Sequence, residues 1–154
     1  MASTRMPSVP VSWGELLDKM TILEIKAERL KTLPARKHVD KEYRLLHRIG
    51  VEVISSPAVA TLLDQLKQVN ERLWDIEDAI REQEAARRFG SAFIELARSV
   101  YKMNDQRAAI KRRINERLRS ELVEEKSYSS FIPAGHAAAA GASANGISAG
   151  EGNC

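Results

Sequence analysis

The chain has 154 residues, 44% apolar and 29% charged, with a net charge of +3, which fits one globular domain and demands neither nucleic acid nor an anionic membrane. Eight aromatic residues and little Val/Thr alternation argue against a sandwich or barrel; no run approaches the ~18 apolar residues of a membrane span, and Met1–Trp13 lacks the apolar stretch of a secretory signal. The single cysteine, Cys154, excludes disulfide frameworks and cysteine-based zinc sites, and His38, His47 and His136 are too scattered for a metal centre, so neither metal nor cofactor is expected.

Residues 1–10 hold two prolines and read as a flexible arm. A first helix then begins on a strong signal. Ser12 and Glu15 have the spacing of a capping box, and Val11 and Leu16 that of a hydrophobic staple. Leu16, Met20, Leu23, Ala27 and Leu30 form one face, and Pro34 is expected to end the helix. Ile22 and Ile25, bracketed by Asp18 and Arg29, form a second apolar strip. A helix apolar on two sides belongs between neighbours, which predicts a central position.

A second helix is predicted from about Arg36 to Ile54, with a stripe of Val39, Tyr43, Leu46, Gly50 and Val53. Gly50 weakens it by roughly 1 kcal/mol relative to Ala, and serves either close packing or a break. Ser56-Pro57 starts a third helix. Leu62, Leu66, Val69, Leu73, Ile76 and Ile80 step along it as in a coiled-coil seam. It is expected to end near Phe89-Gly90, with Gly90 as left-handed cap. Ser91 then caps a fourth helix carrying Phe93, Leu96, Val100, Met103, Ile110, Ile114 and Leu118, which frays after Ser120. Two long helices joined so briefly must form an antiparallel hairpin. The predicted fold is therefore all-α: a long hairpin with two shorter helices packed on it, over residues 11–128.

From about Pro133 the composition turns to Ala and Gly with almost no charge. Residues 129–154 read as a disordered tail. Cys154 is not at the position that prenylation requires. Elsewhere charge is uneven. Residues 1–56 sum to +3, 57–88 to −2 and 89–126 to +3. Glu71, Asp75, Glu77, Asp78, Glu82 and Glu84 form an acidic stretch, and Lys111, Arg112, Arg113, Arg117 and Arg119 a basic one. The hairpin leaves these two runs at opposite ends, so they could meet between two copies of the chain. No aromatic interleaves with the basic run, which makes it a solvated face rather than a nucleic-acid site.

Phosphate loops, H-E-x-x-H, Glu-x-x-His and G-x-S-x-G are all missing. Glu15/Asp18 and Asp75/Asp78 have the spacing of Mg²⁺-holding acids in some all-helical pyrophosphohydrolases. Relative to Leu73, however, Asp75 falls at ~200° and Asp78 at ~140° around the helix, away from the core. Glu77 at ~40° and Glu84 at ~20° lie beside the seam. Trp74, at ~100°, lies off the main stripe and is expected to pack on the first or second helix.

On the fourth helix Arg107 follows Phe93 and Val100 in sevens and precedes Ile114, at the centre of the apolar stripe, with Asn104 and Lys111 at its edge. A buried charge needs a counter-charge. Glu77 is the first expectation and Asp18 the second. The candidate polar cluster is thus Glu77, Asn104, Arg107, Lys111, Glu84 and Asp18, either a structural ion pair or the lining of an anion-binding pocket.

The segments SWGELLDKMTILEIKAERL (Ser12–Leu30), LWDIEDAIREQE (Leu73–Glu84), FIELARSVYKMNDQRAAIKRRIN (Phe93–Asn115) and SELVEEKSY (Ser120–Tyr128) resemble a family of small, functionally uncharacterised bacterial proteins, over roughly Val9 to Tyr128. Members of that family are associated with tetratricopeptide-repeat and glycosyltransferase proteins. The resemblance implies a role near cell-surface polysaccharide or protein glycosylation, and supplies no catalytic residues. The leading expectation is a cytoplasmic, non-enzymatic interaction module that binds a protein partner or itself. The alternative is a motif-poor helical enzyme or a domain binding an anionic small molecule.

Overall fold

A computed structural model describes residues 6–127. Among them are four helices and no strand: α1 (Trp13–Arg29), α2 (Leu33–Ile54), α3 (Pro57–Ala85) and α4 (Ser91–Leu118). Residues 6–10 are exposed and irregular. The rest of the N-terminal arm and the expected tail at 129–154, with Cys154, lie outside the described residues.

α1 is the centre of the bundle, packed on all three other helices. Both of its predicted strips contribute. Leu16, Met20 and Leu23 are buried on one side and Ile25 is fully buried on the other. Ser12 Oγ accepts from the Glu15 backbone N–H at 3.1 Å, half of the capping box. Glu15 sends its own carboxylate to Lys111 of α4. Val11 stays 52% exposed, so the staple adds little.

α1 stops at Arg29, before Pro34, and α2 begins at Leu33 rather than Arg36. Pro34 sits in the first turn of α2, where its missing N–H is not needed. It therefore opens the second helix and does not close the first. Gly50 serves packing: a Cβ there would lie 2.8 Å from Met20 Sδ. Within α2 only Val39 and Gly50 are buried, so α2 is a peripheral cover on α1.

α3 and α4 form the expected antiparallel hairpin, each close to 43 Å long at ~1.5 Å per residue. The turn between them departs from expectation. α3 ends at Ala85, and the left-handed residue is Arg87 (φ 53°), not Gly90. Arg88 N donates to Gln83 O and Arg87 N to Glu84 O, the pair of bonds that defines a Schellman close. Gly90 has extended backbone and is the N-cap of α4, so Ser91 is the first helical residue and not the cap. α4 ends the same way as α3, with Arg119 left-handed (φ 50°), Ser120 N donating to Asn115 O and Arg119 N to Glu116 O. A Cβ in this region costs about 1–2 kcal/mol that glycine does not incur. Arg87→Gly and Arg119→Gly should each raise stability by roughly 0.5–1 kcal/mol, seen as a higher urea midpoint with an unchanged slope.

The core is the junction of three helices. Leu16, Leu17 and Met20 of α1 meet Val59, Leu62, Leu66 and Val69 of α3, and Ile110 and Ile114 of α4. The last buried residue of α3 is Asn70 and the first of α4 is Ile110. Beyond them Leu73, Ile76, Ile80, Phe93, Leu96 and Val100 are only half-buried. α1 is 17 residues long against 29 for α3, so it covers only one half of the hairpin. The other half projects as a two-helix arm, tipped by Phe89 stacked edge-on against Phe93 at 5.3 Å. No described helix is long and apolar enough to cross a membrane.

Candidate functional site

α1 crosses α4 on a polar seam inside an otherwise apolar junction. It begins at the α1 N-terminus, where helix geometry leaves backbone N–H groups without partners. Here α4 and the residue beyond its cap supply acceptors: Gly14 N donates to Asn115 Oδ1 at 2.7 Å and Trp13 N to Ser120 Oγ at 3.3 Å. The approach is close enough that a Cβ on Gly14 would lie 2.8 Å from the Lys111 carbonyl oxygen. With Ser12 capping Glu15 N, the first turn is satisfied from within and has no donor left for an outside anion.

One turn along α1, Asp18 is 2% exposed. Arg107 grips it through two nitrogens, Nε to Oδ1 at 3.0 Å and Nη2 to Oδ2 at 2.5 Å. Asn70 Nδ2 donates to Asp18 Oδ1 and to Thr21 Oγ1, each at 2.8 Å. Thr21 Oγ1 donates in turn to the Asp18 carbonyl at 2.8 Å. The paired carboxylate raises the Arg107 pKa further, against the opposing effect of burial. Asp18, second in the sequence expectation, is therefore the partner of Arg107. Glu77, the first expectation, is exposed. Counting outward from the turn gives the register of α3 against α4, but α1 lies across that hairpin and brings its own carboxylate to the guanidinium. Glu84 is exposed in the projecting arm and takes no part in the cluster.

Lys111, 6% exposed, is the next cation along α4. Its Nζ donates to Glu15 Oε1, and to Glu124 Oε2 at 2.7 Å. Burial pushes the ammonium pKa down, but the bonds to Glu124 and Glu15 outweigh it and leave it raised. Lys111 in turn holds Glu124 below its ordinary 4.5. A depressed carboxylate contributes stability that is complete above the unfolded value and is lost as pH falls through the folded one. The stability gap between wild type and Glu124→Gln should therefore be constant above pH 4.5 and close below it, measured by urea unfolding at stepped pH. At the alkaline end, burial and the bond to Glu24 push Tyr43 up to about 12 from 10.0. The folded chain keeps that proton longer than the unfolded one, so stability should fall from pH 10 to about 12 and Tyr43→Phe should flatten the fall.

Two openings flank Arg107. A groove of about 490 Å³ between α1, α3 and α4 is lined by Ile22, Leu73, Trp74 and Val100 on its apolar side and by Asn70, Glu77, Asn104 and Arg107 on its polar side. Trp74 is half-buried there and covered by Arg29 of α1, whose guanidinium lies 5.8 Å from the ring centre. Arg29 also pairs with Asp75 at 2.8 Å. A second opening of about 430 Å³ lies between Asn104, Arg107, Ala108 and Lys111 and the extended segment after α4. The cluster thus brings Asp18, Asn104, Arg107 and Lys111 together, leaves Glu77 on the groove rim and excludes Glu84. In the two carboxylate pairs, Glu15 and Asp18 are each bound to a cation, and Asp75 and Asp78 are exposed. Sequence reasoning missed Gly14, Thr21, Asn70, Asn115 and Glu124. Asn70 and Asn115 each follow a buried apolar residue, Val69 and Ile114, and that adjacency was the available signal.

No curated protein and no solved structure matches the chain. The sequence model of a family of unknown function matches residues 7–145, well over half of the chain. With its helical cluster in view, the chain belongs to that family, DUF6165.

Proposed function

We propose that this chain is a non-enzymatic protein-interaction module whose working surface is the projecting half of the α3–α4 hairpin. The observation that carries this role is the uncovered seam. Ile76, Ile80, Phe93, Leu96 and Val100 have the spacing of a packed helix face and are only half-buried, while Phe89 and Ile94 are 52% and 53% exposed. Apolar surface left in water is costly, and a partner that covers it gains that free energy on docking. The polar cluster fits a structural duty: Asp18 spends both carboxylate oxygens on Arg107 and Asn70. A second copy is one partner that suits the surface, because two hairpins laid antiparallel would set each acidic stretch of α3 against the other's basic run on α4. The family resemblance adds a bacterial setting beside tetratricopeptide-repeat and glycosyltransferase proteins and a role accessory to cell-surface polysaccharide or protein glycosylation; a cytoplasmic location is part of the same reading.

The test is site-specific photo-crosslinking in the source cell. A crosslinker at Ile94, on the arm, should trap a discrete adduct, while the same group at exposed Thr61, at the far end of α3, should not. Equal labelling from both positions, or none from Ile94, overturns the arm as a docking surface.

An anion-binding role, catalytic or not, is the second reading. It is favoured by the groove that sets Arg107 and Asn104 opposite Trp74. Saturable quenching of tryptophan fluorescence by a small phosphate monoester or a free carboxylate, lost in Trp74→Phe, would support it over the module.

A further inference from the structure

After its left-handed cap at Arg119, the chain turns back along α4 as an extended strap, residues 120–127, with no regular structure. The strap is held by charge. Glu124 bonds Lys111 and Glu125 lies 3.7 Å from Arg112. Its apolar residues contribute little, since Leu122 and Val123 are 45% and 48% exposed. It does not fill its bed either: openings of about 430 and 310 Å³ remain around it, both floored by Ala108 and Lys111.

The cluster beneath does not need the strap for neutrality. Glu15 and Asp18 already balance Arg107 and Lys111, so Glu124 is a fifth, surplus charge. Lifting Glu124 away leaves no buried charge unpaired and frees one donor on the Lys111 ammonium, which is otherwise enclosed by protein. Among the described residues Arg107 Nη1 has no hydrogen bond, and Arg107 lines the same opening. An enclosed ammonium donor, a spare guanidinium N–H and a shallow alanine floor together accept a carboxylate carried on an extended backbone.

We propose that the Ala108–Lys111 channel on α4 is a binding site for an acidic, extended peptide segment of a partner protein, and that Glu124 and Glu125 occupy it in cis as an internal competitor. Removal of the strap's two carboxylates exposes the site, and a peptide bearing them fills it again. Competition by a tethered segment acts through its effective concentration, so the site is masked in the resting chain and open to a partner able to displace the strap.

The experiment uses the full chain and a fluorescein-labelled synthetic peptide, SELVEEKS, the strap's own sequence, read by anisotropy. Glu124→Gln/Glu125→Gln in the full chain should bind the peptide at least tenfold more tightly than wild type. Changing both peptide residues matched to 124 and 125 to glutamine should abolish binding. Arg112→Gln on the opened variant, an exposed position outside the core, should weaken it severalfold, with circular dichroism verifying the fold. Equal binding by wild type and opened variant, or equal binding of the neutral peptide, overturns the proposal. Displacement of the peptide by free glutamate at matched concentration also overturns it, because the site would then be a small-anion pocket and not a peptide channel.

Discussion

Asp18→Ala should cost about 3–5 kcal/mol, the largest loss expected from any polar residue here, because it leaves the Arg107 guanidinium half-enclosed without its carboxylate. The same change removes the acceptor for Asn70 Nδ2, a buried amide that then keeps one bond, to Thr21. Asp18→Asn keeps the shape and an oxygen but not the charge, and should fall between wild type and alanine. The pair is separable from its setting: with Arg107→Met added to Asp18→Ala, most of the loss should return, since an apolar pair of similar volume is often neutral or better at such a site. Equilibrium urea unfolding of wild type, Asp18→Ala, Arg107→Met and the double variant gives the coupling directly. Glu77→Gln, by contrast, should stay within about 0.5 kcal/mol of wild type, as exposed substitutions do. A large loss there, or additive losses at Asp18 and Arg107, would contradict the pairing.

Gly14→Ala is the second severe change, although alanine ordinarily favours a helix. The added Cβ meets the Lys111 carbonyl oxygen at 2.8 Å, the Asn115 Oδ1 at 3.0 Å and the Lys111 Cβ at 3.1 Å. Two of those atoms belong to the α4 backbone or its root and cannot swing aside, so α1 must move away. Overpacking of this kind costs about 1–3 kcal/mol. Stretching the bond from Gly14 N to Asn115 Oδ1 adds about 1 kcal/mol more. The midpoint in urea should fall accordingly. Gly50→Ala, whose Cβ is crowded by the movable Met20 thioether at 2.8 Å and meets Ile54 Cδ1 only at an ordinary 3.5 Å, should lose less. Equal losses at the two glycines would mean that α1 and α4 do not meet as described.

Periodicity carried most of the fold. The heptad step of α3, the double strip of α1 and the proline at Pro57 each report local physics that packing left in force. The helix ends are where it failed. Pro34 and Gly90 are ambiguous punctuation: a proline suits both the end of one helix and the first turn of the next, and a glycine both a left-handed cap and an extended one. Arg87 and Arg119 in left-handed backbone cannot be anticipated from residue type, because the requirement comes from where α3 and α4 must stop. In the cluster, the need for a partner at Arg107 was legible from its place in the apolar stripe. Which carboxylate answers it was not, because the choice depends on how α1 lies over the hairpin, a three-helix geometry absent from any pairwise count. Lys111 lies in the seam, 6% exposed. Its two acceptors come from the first turn of α1 and from a segment beyond α4, neither of which carries a periodic signal.

The Trp13 amide bonded to the Ser120 hydroxyl, 107 positions apart, means that the bundle begins and finishes in one spot. Topologically it is a ring that happens to be cut there. Joining those ends through a short glycine linker and reopening the ring at the exposed bend near Phe89 would keep all four helices and the three-helix core, at the loss of the strap beyond Ser120. A permuted chain of that kind would present two new termini at the far tip of the arm, a ready place for a tag or tether that leaves the polar crossing undisturbed.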